Sequence, residues 1–251
     1  MRKFQVDQLK VAIFPGREEM GSAAADAAAS AIGAAIKVRG SARVILASAS
    51  SQIELLSYLR ESEVDWSKVT IFHMDEYVGL PADHPASLRH FLHHELIAHL
   101  KLREFVGIRG EAKDAEAECT RYSALLAEAP IDVVCLGIGE NGHIAFNDPQ
   151  FAQFDDPKLV KLVEPDEVSR QQQVNDGCFP SLKVVPRMGI TLTIPALMSG
   201  ATLHCVVPGP RKAKAVRETL RGPIATSCPA SIMRKHPSAF LYLDEDSAAL
   251  L

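Results

Sequence analysis

The chain has 251 residues and is 47% hydrophobic, enough for one large α/β domain with a sizeable core, since such folds commonly run to roughly 200–250 residues. Its 27 Lys and Arg against 31 Asp and Glu give a formal net charge of −4 with the signs mixed, which argues against a general nucleic-acid or anionic-membrane surface and confines any anion site to a local pocket. Aromatic residues make up 6%, too few for a platform that stacks single-stranded bases.

From the N-terminus, Met1 to Gly16 carries two early positive charges, but Asp7, Lys10 and Pro15 interrupt any apolar signal-peptide core. The Ala-rich stretch from Glu18 to Arg39 reads as an outer helix: acidic residues open it, and Lys37, Arg39 and Gly40 close it. ARVILA (Ala42 to Ala47) is strand-like, SASSQ (Ser48 to Gln52) is a small polar loop, and IELLSYLR is helical with Leu55, Leu56 and Leu59 at helical spacing. KVTIFHM (Lys68 to Met74) is a second strand, followed by MDEYVGL (Met74 to Leu80) and a helix near Ser87 to Leu100.

A helix over Glu111 to Ala129 precedes IDVVCLGI (Ile131 to Ile138), whose β-branched run predicts a buried parallel strand. Later come the strand ATLHCVVPG (Ala201 to Gly209) with the helix PRKAKAVRETLRG (Pro210 to Gly222), and SAFLYLD (Ser238 to Asp244) with DSAALL (Asp246 to Leu251). Strands alternating with helices predict a Rossmann-like α/β fold: a mainly parallel sheet with helices on both faces. Without repeats, low-complexity tracts or long linkers, residues 1–251 read as one domain.

Two loops carry the chemistry. LGIGENGHIAFNDP (Leu136 to Pro149) places His143, Asn141 and Asp148 on a glycine-rich loop at the carboxyl end of a strand, where open α/β sheets bind ligands. Gly137, Gly139 and Gly142 permit positive φ and close backbone approach, and His143 supplies the loop's one imidazole, the side-chain type suited to acid/base work. The plain alternative is a glycine-rich turn with a surface histidine. MDEYVGL adds Asp75 and Glu76 at another strand end; in extended backbone they face different sides and so form no paired acid/base dyad, Glu76 is expected to anchor the loop, and the plain alternative for Asp75 is a turn or helix-capping carboxylate.

Together these two strings resemble the glucosamine-6-phosphate deaminase family, the NagB-like aldose–ketose isomerases. The likeness continues in GPRKA (Gly209 to Ala213) and more weakly in VPRMGITLTIPALMSG (Val185 to Gly200), so it runs from about residue 40 to the C-terminus. It implies cofactor-free acid/base chemistry on a sugar phosphate, releasing ammonia and a ketose phosphate. His143 would shuttle the ring-opening proton with Asn141 and Asp148 orienting it, and Asp75 would move a proton from C2 to C1. The family commonly has an aspartate where this chain has Asn141 and a glutamate where it has Asp148. The amide orients without adding charge, and Asp148 is one methylene shorter.

The resemblance places phosphate at Ser48, Ser50, Ser51 and Gln52, where hydroxyls and N–H groups open a helix; the family's loop there resembles TGSTP, with a glycine this chain lacks. Lys212 in GPRKA matches the family's phosphate lysine, and Arg170 in SRQQQ stands in for an arginine of a segment resembling ANSRFF. Arg211 and Lys214 read as solvated helix residues. His90 and His94 share a helix face, but HExxH is absent and His94 and His99 lie five apart, so no metal is expected.

Two rivals share the fold. A 6-phosphogluconolactonase-like hydrolase predicts a DGHxAS-like continuation and an arginine after the acidic pair, whereas this chain has FNDP and Tyr77. A non-catalytic sugar-phosphate sensor predicts a DNA-binding module, and no N-terminal segment here is long and basic enough for one. Cys119, Cys135, Cys178, Cys205 and Cys228 form no CxxC pair, which predicts free thiols, with Cys135 and Cys205 as small core residues. No run approaches the roughly 20 apolar residues of a membrane span. The expectation is a cytoplasmic protein without membrane or nucleic-acid partners; apolar helices leave a homo-oligomer open.

Overall fold

The structure, a computed structural model, describes residues 1–251. Eleven strands and seven α-helices follow one another along the chain. The main sheet contains β1 (Arg2–Val6), β2 (Leu9–Phe14), β3 (Ala42–Leu46), β4 (Val69–His73), β6 (Glu104–Val106), β7 (Val133–Leu136), β10 (Thr202–Val207) and β11 (Ala239–Asp244), in the spatial order β1-β2-β11-β10-β7-β3-β4-β6. Only the β1–β2 pair is antiparallel; every other neighbour pair in this sheet is parallel.

The parallel strands are buried on both faces because helices cover both. Val133 and Cys135 of β7 pack with Ala24, Ala28 and Ile32 of α1 (Arg17–Arg39) and with Leu55 and Leu59 of α2 (Ile53–Arg60). Val134 and Leu136 point the other way, into a core with Tyr122 of α4 (Ala115–Ala127) and Val216 of α7 (Ala213–Arg221). That period of two across a strand flanked by helices is the geometry of a doubly covered sheet. Small residues let α1 approach α2 closely: a Cβ on Gly21 would stand 2.4 Å from Glu54 Cβ. Gly40 stops α1 in the left-handed region at φ 78°, its N–H bonding back to Ile36 O.

After β3 the chain moves outward through α2 to β4, whereas the strand on the other side of β3 is β7, which leads toward β10. The carboxyl ends of β3 and β7 therefore mark the point where the strand order reverses, and the loops leaving them diverge into a crevice. A second sheet flanks it, antiparallel in the order β5-β9-β8, from β5 (Asp75–Tyr77), β8 (Val160–Val163) and β9 (Gly189–Leu192).

Several local features differ from the sequence expectations. The hairpin β1–β2 precedes α1, and β5 makes MDEYVGL the start of a second sheet. The expected helix over Ser87 to Leu100 is α3 (Leu88–Glu95) followed by a 3₁₀ turn at Ile97–His99, because Leu96 leaves helical backbone at φ −136°. DSAALL forms turns rather than a helix; such a short segment gains too few hydrogen bonds to offset nucleation. Two helices went unpredicted, α5 (Glu167–Asn175) and the short α6 (Ile194–Met198). No helix is long and apolar enough to cross a membrane.

Candidate active site

Loops from both sheets converge on one cleft at the reversal point. Ser48 and Ser51 line it from the loop after β3, Asp75 from β5, Gly139 and His143 from the loop after β7, and Lys212 from the turn before α7.

Asp75 and Glu76 show how strand alternation assigns two adjacent carboxylates to different tasks. Glu76 turns away from the cleft and accepts hydrogen bonds from Ser87 Oγ (2.7 Å), the Leu88 N–H (3.1 Å) and the Arg89 N–H (2.9 Å), tying β5 to the N-terminus of α3. Asp75 lines the cleft, 8% exposed. Burial, with the Glu76 carboxylate next to it, pushes the Asp75 carboxyl up to about 8. The strand end behind Asp75 is pinned as well. His73 Nε2 accepts from the Ile108 N–H at 2.8 Å, and the Tyr122 hydroxyl bonds the His73 backbone on both its N–H and its carbonyl. Burial, reinforced by the Arg89 charge, pulls His73 down to about 3, so it is a neutral structural imidazole.

The histidine loop requires glycine at specific points. A Cβ on Gly139 would fall 2.0 Å from His143 Cε1, so the imidazole lies against bare backbone. Gly142 has φ 86°, whereas Gly137 and Gly139 do not use positive φ. Ala145, which also lines the cleft, sits at φ 49°, a conformation that costs a non-glycine residue about 1–2 kcal/mol.

The polar network around His143 is closed. Asn141 Nδ2 donates to Asp148 Oδ1 (2.9 Å) and Asp166 Oδ2 (3.0 Å), which turns Asn141 Oδ1 toward His143; that oxygen accepts from the His143 N–H (3.0 Å) and lies 2.8 Å from His143 Nδ1. Asp148 is fully buried, accepts the Asp166 N–H at 2.9 Å, and lies 3.2 Å from His143 Nδ1. Burial alone would raise its carboxyl, but the contacts from His143, Asn141 and Ser169 outweigh burial and hold it at about 2. Asp148 therefore supplies the negative charge that Asn141 does not.

Lys212 is buried to 9% exposure and forms no salt bridge. Burial draws its ammonium down to about 8 despite the opposing fields of Asp176 and Glu140. Those two carboxylates pair with Arg211, at 2.5 Å and 3.5 Å; Arg211 is exposed, as expected, but sits in the turn before α7 and not in a helix. Ser48 Oγ and Gln52 Oε1 are buried without protein partners.

The structure does not bring all the expected phosphate residues to one place. Ser48, Ser51 and Lys212 line the inner cleft, and Ser50 lines an adjoining recess with Arg17 and Arg211. Gln52 lies beneath the cleft, its Nε2 on Ser51 Oγ (3.0 Å) and Val206 O (3.3 Å). Arg170 turns away altogether: its guanidinium donates to the carbonyls of Leu182 (2.9 Å) and Val185 (3.1 Å). Those two carbonyls hold the partly buried guanidinium on the side away from the cleft. Conversely, Ser169, Gln172 and Gln173 of α5 reach the site without having been anticipated, Gln172 Oε1 accepting the Glu140 N–H at 2.9 Å. The Asp166–Glu167 pair, a helix N-cap followed by a first-turn acid, was the available signal for this helix.

A mainly parallel α/β sheet with a histidine–carboxylate loop and a buried lysine at its reversal point defines a sugar-phosphate enzyme of the NagB type, and the comparisons agree. The sequence model of the family described as glucosamine-6-phosphate isomerases/6-phosphogluconolactonase matches residues 15–241, and the chain belongs to that family. A glucosamine-6-phosphate deaminase of Lactobacillus delbrueckii subsp. bulgaricus is 34% identical over 97% of this chain and 100% of its own length. One from Listeria innocua is 38% identical over 82% of this chain and 86% of its own. Among solved structures, a monomeric glucosamine-6-phosphate deaminase superposes with a TM-score of 0.87 at 29% identity, covering 96% of this chain and 99% of that one. A 6-phosphogluconolactonase from Shewanella baltica, at 21% identity, TM-score 0.75 and coverage of 96% and 97%, shares the fold.

Proposed function

We propose that the protein is a glucosamine-6-phosphate deaminase, converting the amino-sugar phosphate and water to fructose 6-phosphate and ammonia. The observation that carries this reading is the placement of Asp75, His143 and Lys212 on one cleft. Lys212, Ser48 and Ser51 would take the phosphate, whose charge compensates the desolvated ammonium. With Nδ1 committed to the Asn141–Asp148 network, His143 Nε2 is the nitrogen left to carry a proton from the anomeric hydroxyl to the ring oxygen.

Once the sugar is open, Asp75 as carboxylate removes the C2 proton and returns it at C1, leaving an imine at C2 that water hydrolyses to the ketone and ammonia. A carboxylate pushed up toward neutrality by burial is a stronger base than an ordinary aspartate, which suits a weakly acidic C–H. No metal or cofactor is required by these steps. The same reading takes residues 1–251 as one domain, supported by a core cluster that includes residues of both sheets. A cytoplasmic location fits the five unpaired cysteines.

Lactone hydrolysis is the rival within the family. Tyr77 stands where that activity would call for an arginine, and it is buried against Phe146 (5.1 Å between ring centroids) and Phe179 (5.5 Å), so position 77 offers the cleft no cation. The test is incubation with glucosamine 6-phosphate, measuring ammonia and fructose 6-phosphate together, with 6-phosphogluconolactone in parallel. Equimolar ammonia and ketose support the deaminase; lactone hydrolysis without ammonia rejects it.

A further inference from the structure

We infer that Ser169 is a positioning residue for His143, and that its hydroxyl completes the link between the histidine and a carboxylate too short to reach it squarely. Ser169 is 3% exposed and sits in the first turn of α5, its N–H accepted by the N-cap carboxylate of Asp166 at 2.7 Å. Its Oγ lies 2.5 Å from Asp148 Oδ1 and 2.7 Å from His143 Nδ1, closer to each than those two groups lie to one another at 3.2 Å.

The proton assignments follow from donor and acceptor counting. Asn141 spends its Nδ2 hydrogens on the carboxylates of Asp148 and Asp166, so only its carbonyl oxygen faces the imidazole. Asp148, held at about 2, is an acceptor only, so the Ser169 hydroxyl donates to it. The remaining lone pair on Ser169 Oγ and the amide oxygen of Asn141 then both require a hydrogen on His143 Nδ1. The hydrogen-bonded order is His143 Nδ1–H shared between Ser169 Oγ and Asn141 Oδ1, and Ser169 Oγ–H to Asp148. This leaves the Nε2 lone pair for the cleft.

Two consequences belong to this chain in particular. The hydroxyl spans the gap left by an aspartate at position 148, and it makes the orientation of His143 depend on the seating of α5. Helix α5 touches the same loop a second time, through Gln172 Oε1 and the Glu140 N–H. The assembled histidine therefore requires a docked α5.

The kinetic half of the test rests on the deaminase reading; the spectroscopic half does not. Ser169→Ala and Ser169→Thr are compared with wild type by steady-state deamination and by proton and ¹⁵N NMR of the His143 imidazole, assigned with His143→Gln. Ser169→Ala is expected to lower kcat about tenfold with KM within about twofold, as for an interaction that matters in the transition state only, and Ser169→Thr to recover most of the loss. The His143 Hδ1 resonance is expected to be protected from solvent exchange in wild type and Ser169→Thr, and to exchange faster in Ser169→Ala. An unchanged Hδ1 in Ser169→Ala, or a kcat within about twofold of wild type, overturns the assignment. If wild type does not deaminate glucosamine 6-phosphate, the deaminase reading fails, and the NMR comparison alone decides the role of Ser169.

Discussion

Lys212→Met is expected to make the protein more stable and a worse enzyme. The wild-type ammonium is buried without a salt bridge, and its pKa falls from the ordinary 10.5 to about 8. Each pH unit of that fall corresponds to about 1.36 kcal/mol, so at pH 7 the folded state carries a penalty of about 3 kcal/mol for keeping Lys212 charged. Methionine keeps the apolar stem and removes the charge. For a chain of 251 residues, in which 1 kcal/mol moves Tm by roughly 2–4 °C, the variant should melt about 6–12 °C above wild type at pH 7. The sign gives a second check. A lysine depressed in the folded state destabilises fully below about 8, and the penalty disappears as pH rises toward 10.5, so the gap between the two proteins should close over that interval. Kinetically, loss of a charge-assisted contact to phosphate worth about 1.5–3 kcal/mol should lower kcat/KM about 10- to 100-fold. Inorganic phosphate should raise the Tm of wild type and leave that of the variant unmoved. Calorimetry over pH 7–10.5 with steady-state kinetics decides it: a Tm at or below wild type, with KM unchanged, would refute the account of a desolvated phosphate lysine.

The pH dependence of kcat/KM, corrected for the substrate's own titration, should be a narrow bell: Asp75 acts as carboxylate above about 8 and Lys212 as ammonium below about 8. Both limbs then lie near pH 8, and Lys212→Met should lose the alkaline one; a flat profile from pH 6 to 10 would contradict this. Gly139→Ala should fold yet lose kcat by more than about tenfold, because its Cβ would occupy space 2.0 Å from the His143 ring; wild-type kcat would show that the ring has room to move. Glu76→Ala leaves Ser87 Oγ and the Leu88 and Arg89 N–H groups without their buried acceptor. Urea unfolding should report a loss of about 3 kcal/mol, and a loss below about 1 kcal/mol would show that water replaces the carboxylate.

Much of the architecture was legible because its signals are local and strong. ARVILA, KVTIFHM, IDVVCLGI, ATLHCVVPG and SAFLYLD are apolar runs without a polar face, and each became a parallel strand of the main sheet. The period of two separated Asp75 from Glu76, while the likeness of the whole string, not the period, chose Asp75 as the cleft residue. What escaped was decided by tertiary partners. The helix at Glu167–Asn175 has no apolar stripe, because it docks through Ser169 and Gln172 on a polar network. Arg170 was assigned by motif position to phosphate, yet the carbonyls of Leu182 and Val185, unrelated to it in local sequence, hold it elsewhere. The substitutions at Asn141 and Asp148 looked like weakened chemistry one residue at a time; in three dimensions the buried Asp148 charge and the Ser169 hydroxyl supply what the two lack.

Glucosamine 6-phosphate deuterated at C2 tests directly whether Asp75 moves the C2 proton. The variant for comparison is Asp75→Asn, which should fold at least as stably as wild type because burial disfavours the carboxylate it removes. Wild type should yield fructose 6-phosphate carrying part of the deuterium at C1, as expected for one base that removes and returns the same hydrogen, while Asp75→Asn should neither transfer the label nor release it to solvent. Label transfer or ammonia release persisting in Asp75→Asn would contradict the account and move the proton to another residue of the cleft.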